Sequence, residues 1–295
     1  MTTSFRDLLR VVPDQRPGLA SLDCAATPGA PSGGKQAGIA ALAEDALELA
    51  ALQDRLWAQS TAGVPQRLLL VLQGMDTSGK DGTVRHVIGA MNPGGCRVVP
   101  FGRPTDEELA HDFLWRATKA LPHPGEVGVF TRSHYEDVLI VRVHNLVPQA
   151  EWETRYDRIN AWEGEEIAAG TTIVKVCLAI SLDEQRDRLL ARLDDPTKRW
   201  KANPDDVTER GFWPDYMTAY DDAVARCSTA EAPWYVVPAD RKWYRNLAVA
   251  RLLIETLREM DPRYPSPDLD LAGMRAALAE PSRVSKHTQQ GRALT

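Results

Sequence analysis

The sequence predicts an α/β fold in which helices cover both faces of a five-stranded parallel sheet. Short apolar runs alternate with longer amphipathic segments along the chain, an order typical of such sheets. The apolar run 68–72 leads into a loop, 74–82, with the frame glycine, four residues, glycine and lysine. This frame brings backbone N–H groups and one lysine together at a helix N-terminus, where they bind phosphate. We therefore expect a phosphate-binding loop after the first strand.

The composition narrows the class of protein. A chain of 295 residues with 43% hydrophobic content is long enough to bury the core of one large domain. Its formal net charge of -6 argues against a nucleic-acid or anionic-membrane binder, so any polyanion site must be local. No stretch approaches the roughly 18 apolar residues of a membrane span. The four cysteines lack metal-site spacing and fit a reducing compartment. We expect a cytoplasmic protein.

The chain is expected to fall into three parts. Residues 1–36 are predicted to form an irregular arm, because prolines and a Gly-Gly pair interrupt any periodicity. The main domain is expected over 37–261. Residues 262–295 are predicted to form a C-terminal tail with one short helix at 269–279, and the last dozen residues are expected to fray.

Within the main domain, a helix is predicted at 37–60 from the spacing of its apolar residues, and another at 152–169, which ends at Gly170. Capping boxes, in which a side chain and the backbone satisfy each other, are predicted at Thr105 with Glu108 and at Ser181 with Glu184. The five strands are predicted at 67–73, 96–101, 126–130, 171–179 and 234–239.

One interval breaks the alternation of strands and helices. About twenty residues, 194–214, separate two predicted helices without a strand, and loops of that length in compact domains are commonly lids. The neighbouring stretch 186–201 holds six basic residues against three acids, although the whole protein is acidic. We interpret it as a basic lid that closes on phosphates. The alternative is a solvated helix face with ordinary i to i+4 ion pairs.

The loop carries two carboxylates. Asp81 stands where the usual loop has a serine or threonine that reaches magnesium, and it is best explained by the helix dipole. A carboxylate about 4 Å from a phosphate repels it by about 4 kcal/mol at an effective dielectric of 20, unless a cation intervenes. Asp76 is therefore predicted to bind magnesium, which bridges to phosphate. The alternative is an Asx-type hydrogen bond that shapes the loop.

A second polar group follows the strand 126–130. Ligands of open parallel sheets bind outside the carboxyl ends of the strands, so Arg132 is expected beside the phosphate loop and suited to a phosphoryl group. Glu136 or Asp137 is expected to support a metal or hold a basic group, and the alternative is an acid pair at a helix N-terminus. His134 is interpreted as positional, because phosphoryl transfer depends mainly on positioning and electrostatics.

Four segments occur in a fixed order along the chain: Gly74 to Gly82, Phe130 to Leu139, Asp195 to Lys201 and Ala232 to Asp240. Together they resemble the family-2 polyphosphate kinases, and the resemblance covers about residues 40–260. The run His134 to Leu139 and the segment Arg241 to Asn246 resemble most the subgroup that acts on both nucleoside mono- and diphosphates.

The resemblance implies a three-layer P-loop kinase fold with a helical lid. It also implies a magnesium cofactor, with manganese as the alternative, and the partners inorganic polyphosphate and nucleoside mono- or diphosphates. Asp76, Lys80 and Arg132 take the catalytic positions. One position departs: Thr131 stands where the family usually has Asp or Asn, so we expect a weaker or water-mediated contact. The positions expected to bind phosphate or nucleotide are Gly74, Thr77, Ser78, Gly79, Gly82, Glu136, Lys198, Arg199, Lys201, Arg241 and Lys242.

Two other functions remain open from the residues. An ATP-dependent nucleoside monophosphate kinase would use a similar loop, although Asp81 and the basic lid argue against it. A non-catalytic phosphate-binding module is the second. The helix at 37–60 and the resemblance suggest a dimer or tetramer, but an amphipathic helix also covers the core of a monomer. Base preference, the choice between AMP and ADP, and the direction of transfer are left open.

Overall fold

A computed structural model describes residues 4–266 and 268–279. Five parallel strands form one sheet in the order β2-β3-β1-β4-β5, which confirms the predicted parallel α/β fold. Each strand lies within one residue of its predicted bounds. The strands are Arg67–Gln73 (β1), Cys96–Pro100 (β2), Val127–Thr131 (β3), Thr171–Ala179 (β4) and Trp234–Pro238 (β5).

Twelve α-helices lie in the described part of the chain, and the first long one begins three residues before its predicted start. The helices are Phe5–Leu9 (α1), Gly34–Ser60 (α2), Lys80–His86 (α3), Asp106–Leu109 (α4), Trp115–Ala120 (α5), Ile140–Val143 (α6), Gln149–Ala168 (α7), Leu182–Asp194 (α8), Asp205–Arg210 (α9), Trp213–Arg226 (α10), Lys242–Met260 (α11) and Leu271–Ala279 (α12). None of the helices within 4–266 and 268–279 is long and apolar enough to cross a membrane.

The core has two halves because successive side chains of a strand point to opposite faces of the sheet. On β1, Leu68, Leu70 and Leu72 pack with α2 and α11 on one face. Leu69 and Val71 pack on the other face with residues of α5, α7 and α10. The central strand is therefore apolar from Leu68 to Leu72, as expected for a sheet covered on both sides.

The N-terminal arm is more ordered than the irregular segment that we predicted. Ser4 caps α1, and Glu255 of α11 accepts hydrogen bonds from the Ser4 hydroxyl at 2.6 Å and the Phe5 amide at 2.9 Å. A proline-rich composition therefore did not prevent a five-residue helix, because its cap and its buried Phe5 lie outside the proline stretch.

The contacts between residues divide the chain into two compact units, Met1–Tyr264 and Pro265–Thr295.

The C-terminal unit contains α12, close to the helix predicted at 269–279. Within this unit the Asp270 carboxylate accepts a hydrogen bond from the Gly273 amide at 2.8 Å, near the start of α12. The expectation that the last dozen residues fray falls on 284–295, which lie outside the described residues.

Only one of the two predicted capping boxes is complete. At α4, the Thr105 hydroxyl accepts from the Glu108 amide at 3.2 Å, and the Glu108 carboxylate accepts from the Thr105 amide at 2.8 Å. At α8, Ser181 accepts from the Glu184 amide, but the Ser181 amide donates to Asp240 instead. The second box was therefore predicted only half correctly, because tertiary partners replace the reciprocal bond.

Candidate active site

The phosphate-binding loop leaves the carboxyl end of β1 and begins α3 at Lys80. Gly74 and Gly79 have φ values of 144° and 113°, which L side chains rarely adopt. A Cβ on Gly74 would lie 2.6 Å from the Leu178 carbonyl oxygen of β4, so only glycine fits there. Thr77 also has a left-handed backbone, with φ 62°. Such strain in a non-glycine residue is typical of ligand-binding loops.

Lys80 bends back over the loop that precedes it. Its Nζ donates to the Gly74 carbonyl at 2.5 Å and to the Met75 carbonyl at 3.3 Å. Burial lowers the pKa of Lys80 below its ordinary value, and the nearby Asp76 carboxylate opposes this shift. An ammonium group has three donors, and these two carbonyls leave the third for a phosphate oxygen.

Asp76 and Arg132 meet because β1 and β3 are adjacent and in register, with Leu72 paired to Thr131. Arg132 Nη2 donates to Asp76 Oδ1 at 3.0 Å, and the Arg132 backbone is left-handed, with φ 63°. Burial alone would raise the pKa of Asp76, but Lys80 and Arg132 outweigh it, so the pKa lies below its usual value. The structure therefore brings together the three residues predicted as catalytic.

Glu136 lies behind this pair, in a short helical turn at His134–Val138. Burial raises its pKa, and the charges of Arg132 and Lys80 act against that shift. His134 is fully buried, with its Nε2 3.4 Å from Glu163, so it lies inside the protein and contacts no solvent. Glu136 thus belongs to the loop cluster, and the placement of His134 agrees with the positional interpretation.

Arg188 of α8 contacts the loop, and the sequence prediction missed it as a site residue. Its guanidinium donates to the carbonyls of Thr77 and Ser78 at 2.9 and 3.1 Å, and to those of Ala239 and Asp240 at 2.7 and 2.8 Å. Arg188 therefore joins the phosphate loop to the end of β5. The signal for Arg188 in the sequence was its position four residues after Glu184, and the two side chains form an ion pair at 2.7 Å. That spacing alone indicated an ordinary surface pair.

The segment 194–214 lacks a strand, as predicted, and consists of a 3-10 turn at Arg199–Lys201 followed by α9. Lys201 Nζ donates to Asp81 Oδ2 at 2.7 Å, which links this segment to the phosphate loop. Lys198 pairs with Asp195 at 2.6 Å, and Arg199 Nε donates to the Leu193 carbonyl at 2.6 Å. Of the three predicted lid bases, only Lys201 reaches the loop in this structure.

Arg241 and Lys242 stand at the start of α11. Arg241 Nε donates to the Ala25 carbonyl at 2.8 Å, so this side chain holds the N-terminal arm. Lys242 is exposed, and within the described ranges no protein group accepts a hydrogen bond from it. Partial burial is the main cause that lowers the pKa of Lys242, and the positive charges of Arg188 and Lys198 lower it further. Positive charges of α8, the lid and α11 therefore lie near one another.

The loop residues fit a magnesium ion that also binds phosphate. Within residues 4–266 and 268–279, no cluster of three or more His, Cys, Asp or Glu side chains surrounds a common point. Magnesium in phosphate-transfer sites usually has one or two carboxylate ligands, with water and phosphate oxygens as the others. Asp76 can supply one ligand through Oδ2, which accepts no hydrogen bond from the described residues. Its other oxygen, Oδ1, accepts from Arg132.

The arrangement has the parts that phosphoryl transfer requires. A strained loop presents backbone amides and a lysine, an arginine lies opposite, and a carboxylate of lowered pKa lies between them. Transfer between phosphates depends on charge stabilisation and alignment and needs little covalent chemistry from the protein. The described site therefore suits a phosphoryl transferase better than a hydrolase with a nucleophilic side chain.

Comparison with known proteins gives a consistent result. A family model described as "Polyphosphate kinase 2 (PPK2)" matches residues 33–265. The chain is 49% identical over 259 residues to the AMP/ADP-polyphosphate phosphotransferase of Meiothermus ruber, covering 88% of this chain and 95% of that one. It is 45% identical over 229 residues to the ADP-polyphosphate phosphotransferase of Rhodopseudomonas palustris, covering 74% and 78% of the two chains.

A solved structure supports the same assignment. The crystal structure of polyphosphate kinase 2 from Arthrobacter aurescens is 50% identical to this chain and superposes with a TM-score of 0.90. The match covers 95% of this chain and 98% of that one, so it extends over the sheet, the phosphate loop and the lid segment. The matched length and these similarities show that the chain belongs to the polyphosphate kinase 2 family.

Proposed function

We propose that this protein transfers phosphoryl groups between inorganic polyphosphate and nucleoside mono- or diphosphates, forming di- and triphosphates. The observation that carries the proposal is the convergence of Lys80, Asp76 and Arg132 at the adjacent ends of β1 and β3. The names of the relatives from Meiothermus ruber and Rhodopseudomonas palustris support the substrate classes. The similarity to the AMP/ADP-polyphosphate phosphotransferase supports acceptor nucleotides that carry either one or two phosphates.

The roles follow from the charges of the site. Lys80 and amides of the loop other than that of Ser78, which donates to the Met75 carbonyl at 3.0 Å, bind the phosphoryl group in transfer. Arg132 stabilises its equatorial oxygens. Asp76 would hold magnesium, or manganese as the alternative, and the metal ion would neutralise part of the phosphate charge. Glu136 lies within electrostatic range of Arg132 and Lys80, and its negative charge offsets part of their positive charge. A nucleotide phosphate oxygen is already ionised, so the acceptor needs no strong general base.

A basic path supports polyphosphate as the partner. Lys242 is exposed near Arg188, and Lys198 is close enough to affect its pKa. Arg199, Lys201 and Arg241 flank the same edge but hold protein groups in this structure. We propose that these bases exchange their protein partners for phosphate oxygens when a long polyanion binds, since each partner is a carbonyl or an exposed carboxylate.

The test is an assay without ATP. Purified protein with polyphosphate, Mg²⁺ and AMP, ADP, GMP or GDP should form nucleotides with additional phosphate. The Lys80→Ala variant should lose turnover by about 10²-fold or more, as is common when a preorganised charge is removed. The exposed Lys119→Ala variant, at the end of α5, is the matched control and should keep wild-type turnover.

Three results would contradict the proposal. Formation of product only when ATP is present would identify an ATP-dependent nucleotide kinase. Tight polyphosphate binding without turnover would identify a non-catalytic phosphate-binding module, and Thr131, whose hydroxyl has no hydrogen-bond partner among the described residues, would then be the first position to restore. Full turnover by Lys80→Ala would remove the loop from the mechanism.

We also propose a homo-oligomer, either dimer or tetramer, in a reducing compartment such as the cytoplasm. Ile39 and Leu47 of α2 are exposed large apolar residues, 50% and 77% accessible, which supports a subunit contact on this helix. All four cysteines are free thiols, and this supports the reducing compartment. Mass photometry of the wild type and of Leu47→Glu tests the contact, and unchanged assembly would exclude this face.

A further inference from the structure

A buried arginine lies directly behind the phosphate loop. Arg245, in the first turn of α11, is 3% exposed, and its guanidinium lies against the glycines that begin α3. A Cβ on Gly79 would be 1.7 Å from Arg245 Nη1, and one on Gly82 would be 2.7 Å from Nη2. Glycine at these two positions therefore makes space for the arginine as well as for the sharp turn.

This guanidinium has no carboxylate partner. Its Nε and Nη2 donate to Asn246 Oδ1 at 3.1 and 2.8 Å, and its Nη1 donates to the Ser78 carbonyl at 3.4 Å. Among the residues that the structure describes, no acid lies within ion-pair distance of Arg245. Burial first, and then the charge of Arg188, lowers the pKa of Arg245 to about 10, so it is still protonated at neutral pH.

Three acids of the surrounding segments have other partners. Glu184 pairs with Arg188, Asp81 pairs with Lys201, and Asp240 accepts from the Ser181 amide. The region behind the loop therefore carries more positive charge than the protein neutralises.

An unpaired buried charge is strongly unfavourable and is normally absent unless a ligand compensates it. Phosphate in the loop would be such a ligand, because Arg245 lies directly against the loop at Gly79 and Gly82. We propose that Arg245 is a positioning residue for the phosphate chain: it supports the loop from behind, and bound phosphate balances its charge. This inference rests on the proposed function.

The competing explanation is that Arg245 only fills space and supports the backbone. The two explanations differ in the ligand-free protein. If Arg245 serves binding, replacement by an apolar side chain of similar length relieves the buried charge and does not lower Tm. If it serves folding, the same replacement lowers Tm whether or not phosphate is present.

The experiment uses the full chain with Arg245→Met, Arg245→Lys and a control, Arg251→Met. Arg251 lies on the same helix, is partly exposed and pairs with Asp45 at 2.8 Å. Calorimetry measures the Kd of tripolyphosphate with Mg²⁺, thermal unfolding measures Tm without ligand, and kinetics measure KM for polyphosphate and kcat.

We expect Arg245→Met to keep Tm, to bind tripolyphosphate about tenfold more weakly and to raise KM more than it lowers kcat, because a full charge close to the anion is lost. Arg245→Lys, which keeps the charge, should retain most of the affinity. Arg251→Met should lower Tm slightly and leave the Kd unchanged.

Two outcomes would overturn the inference alone: an Arg245→Met protein with wild-type affinity, or one that fails to fold, since the charge would then serve folding. A wild-type protein that does not bind tripolyphosphate would overturn the proposed function and this inference together. If the wild type and Arg245→Met bind tripolyphosphate equally well, the role of Arg245 is excluded and the proposed function is unaffected.

Discussion

Glu136 and Asp137 are adjacent acids that the fold places against different bases. Glu136 faces Arg132 and Lys80 of the candidate site. Asp137 Oδ1 accepts from Arg155 Nη1 of α7 at 2.7 Å, and Arg116 of α5 lies 4.0 Å from its other oxygen. The sequence predicted that one of these acids supports a metal or holds a basic group, with an acid pair at a helix N-terminus as the alternative. At the level of the residue, one acid belongs to the site and the other holds two arginines of the helical layer.

Asp137 should make stability depend on pH. Burial raises its pKa from 3.8 to about 6, although Arg155 and Arg116 oppose the shift. The folded state therefore binds more protons than the unfolded state between about pH 4 and 6, so the contribution of this group to stability falls as pH rises through that range. Above about pH 7 its contribution is constant.

Asp137→Asn removes this titration. We expect the difference in Tm, wild type minus variant, to fall between pH 4 and 6 and to be flat from pH 7 to 8. Thermal unfolding across this range measures it, and the exposed Asp183→Asn variant corrects for general carboxylate titration. A difference that rises with pH would show that the ion pairs with Arg155 and Arg116 outweigh burial.

At the scale of elements, α8 connects the phosphate loop to the lid segment. Arg188, in the middle of α8, donates to the carbonyls of Ala239 and Asp240 just after β5, and the C-terminal end of the helix continues into 194–214. Arg192 of the same helix pairs with Asp206 of α9 at 2.9 Å. Any movement of the lid segment therefore takes place relative to a helix that is bound to the phosphate loop.

The Lys201–Asp81 pair should hold the lid to the loop in the absence of ligand. Both side chains are largely exposed, so the pair is weak and is screened by salt. We expect Asp81→Asn to speed trypsin cleavage after the lid bases several-fold at low ionic strength, and to have little effect at about 1 M salt. Asp183→Asn, which removes an exposed pair with Arg186 on α8, is the control. Equal cleavage of wild type and Asp81→Asn at low salt would show that this pair does not restrain the lid.

A second element-scale feature lies beneath the turn His134–Val138. Lys175 of β4 is fully buried and forms an ion pair with Glu163 of α7, and its Nζ also donates to the Tyr135 hydroxyl at 3.1 Å and the Cys227 carbonyl at 2.6 Å. The Tyr135 hydroxyl in turn donates to Glu163 at 2.8 Å. This network ties the candidate site turn to the sheet and to α7.

Breaking one side of this network should be costly. Lys175→Met leaves the Glu163 carboxylate buried and unpaired, and we expect a loss of about 3–5 kcal/mol in the free energy of unfolding. The double variant Lys175→Met with Glu163→Gln should recover part of that loss, since no charge is left buried. Urea unfolding of the two singles and the double measures the coupling energy. Losses that simply add would contradict the paired arrangement.

At the scale of the whole molecule, an acidic protein carries a local basic path. The net charge is -6, yet Lys242, Lys198 and Arg188 lie close together beside the loop. The path should attract long polyanions more strongly than short ones, and the acidic remainder of the surface should repel both. Selectivity for polyphosphate chains is therefore expected to be electrostatic.

Salt tests this expectation. Raising NaCl from about 50 to 300 mM should increase KM for long polyphosphate several-fold and KM for ADP much less, because the Debye length shortens to a few ångströms. Lys242→Ala should reduce the salt dependence for polyphosphate and leave that for ADP nearly unchanged. A KM for polyphosphate that does not change with salt would exclude the electrostatic path.

Much of this protein was determined by its sequence. The apolar runs and their spacing predicted all five strands, because most residues of a strand that is covered on both faces must be apolar. The frame of 74–82 predicted a loop that leads into a helix, and the order of strands and motifs predicted that Arg132 lies at the same edge of the sheet as this loop. These features depend on local chemistry, or on the rule that parallel strands end at one edge.

The tertiary structure decided how the charges are paired. Lys201 contacts Asp81, 120 residues earlier in the chain, and Arg188 binds carbonyls of two separate loops. Arg245 lies unpaired behind Gly79, a placement that no spacing in the sequence indicates. The energy of a charge depends on which groups surround it in space and on its burial, and these are set only when distant segments pack together.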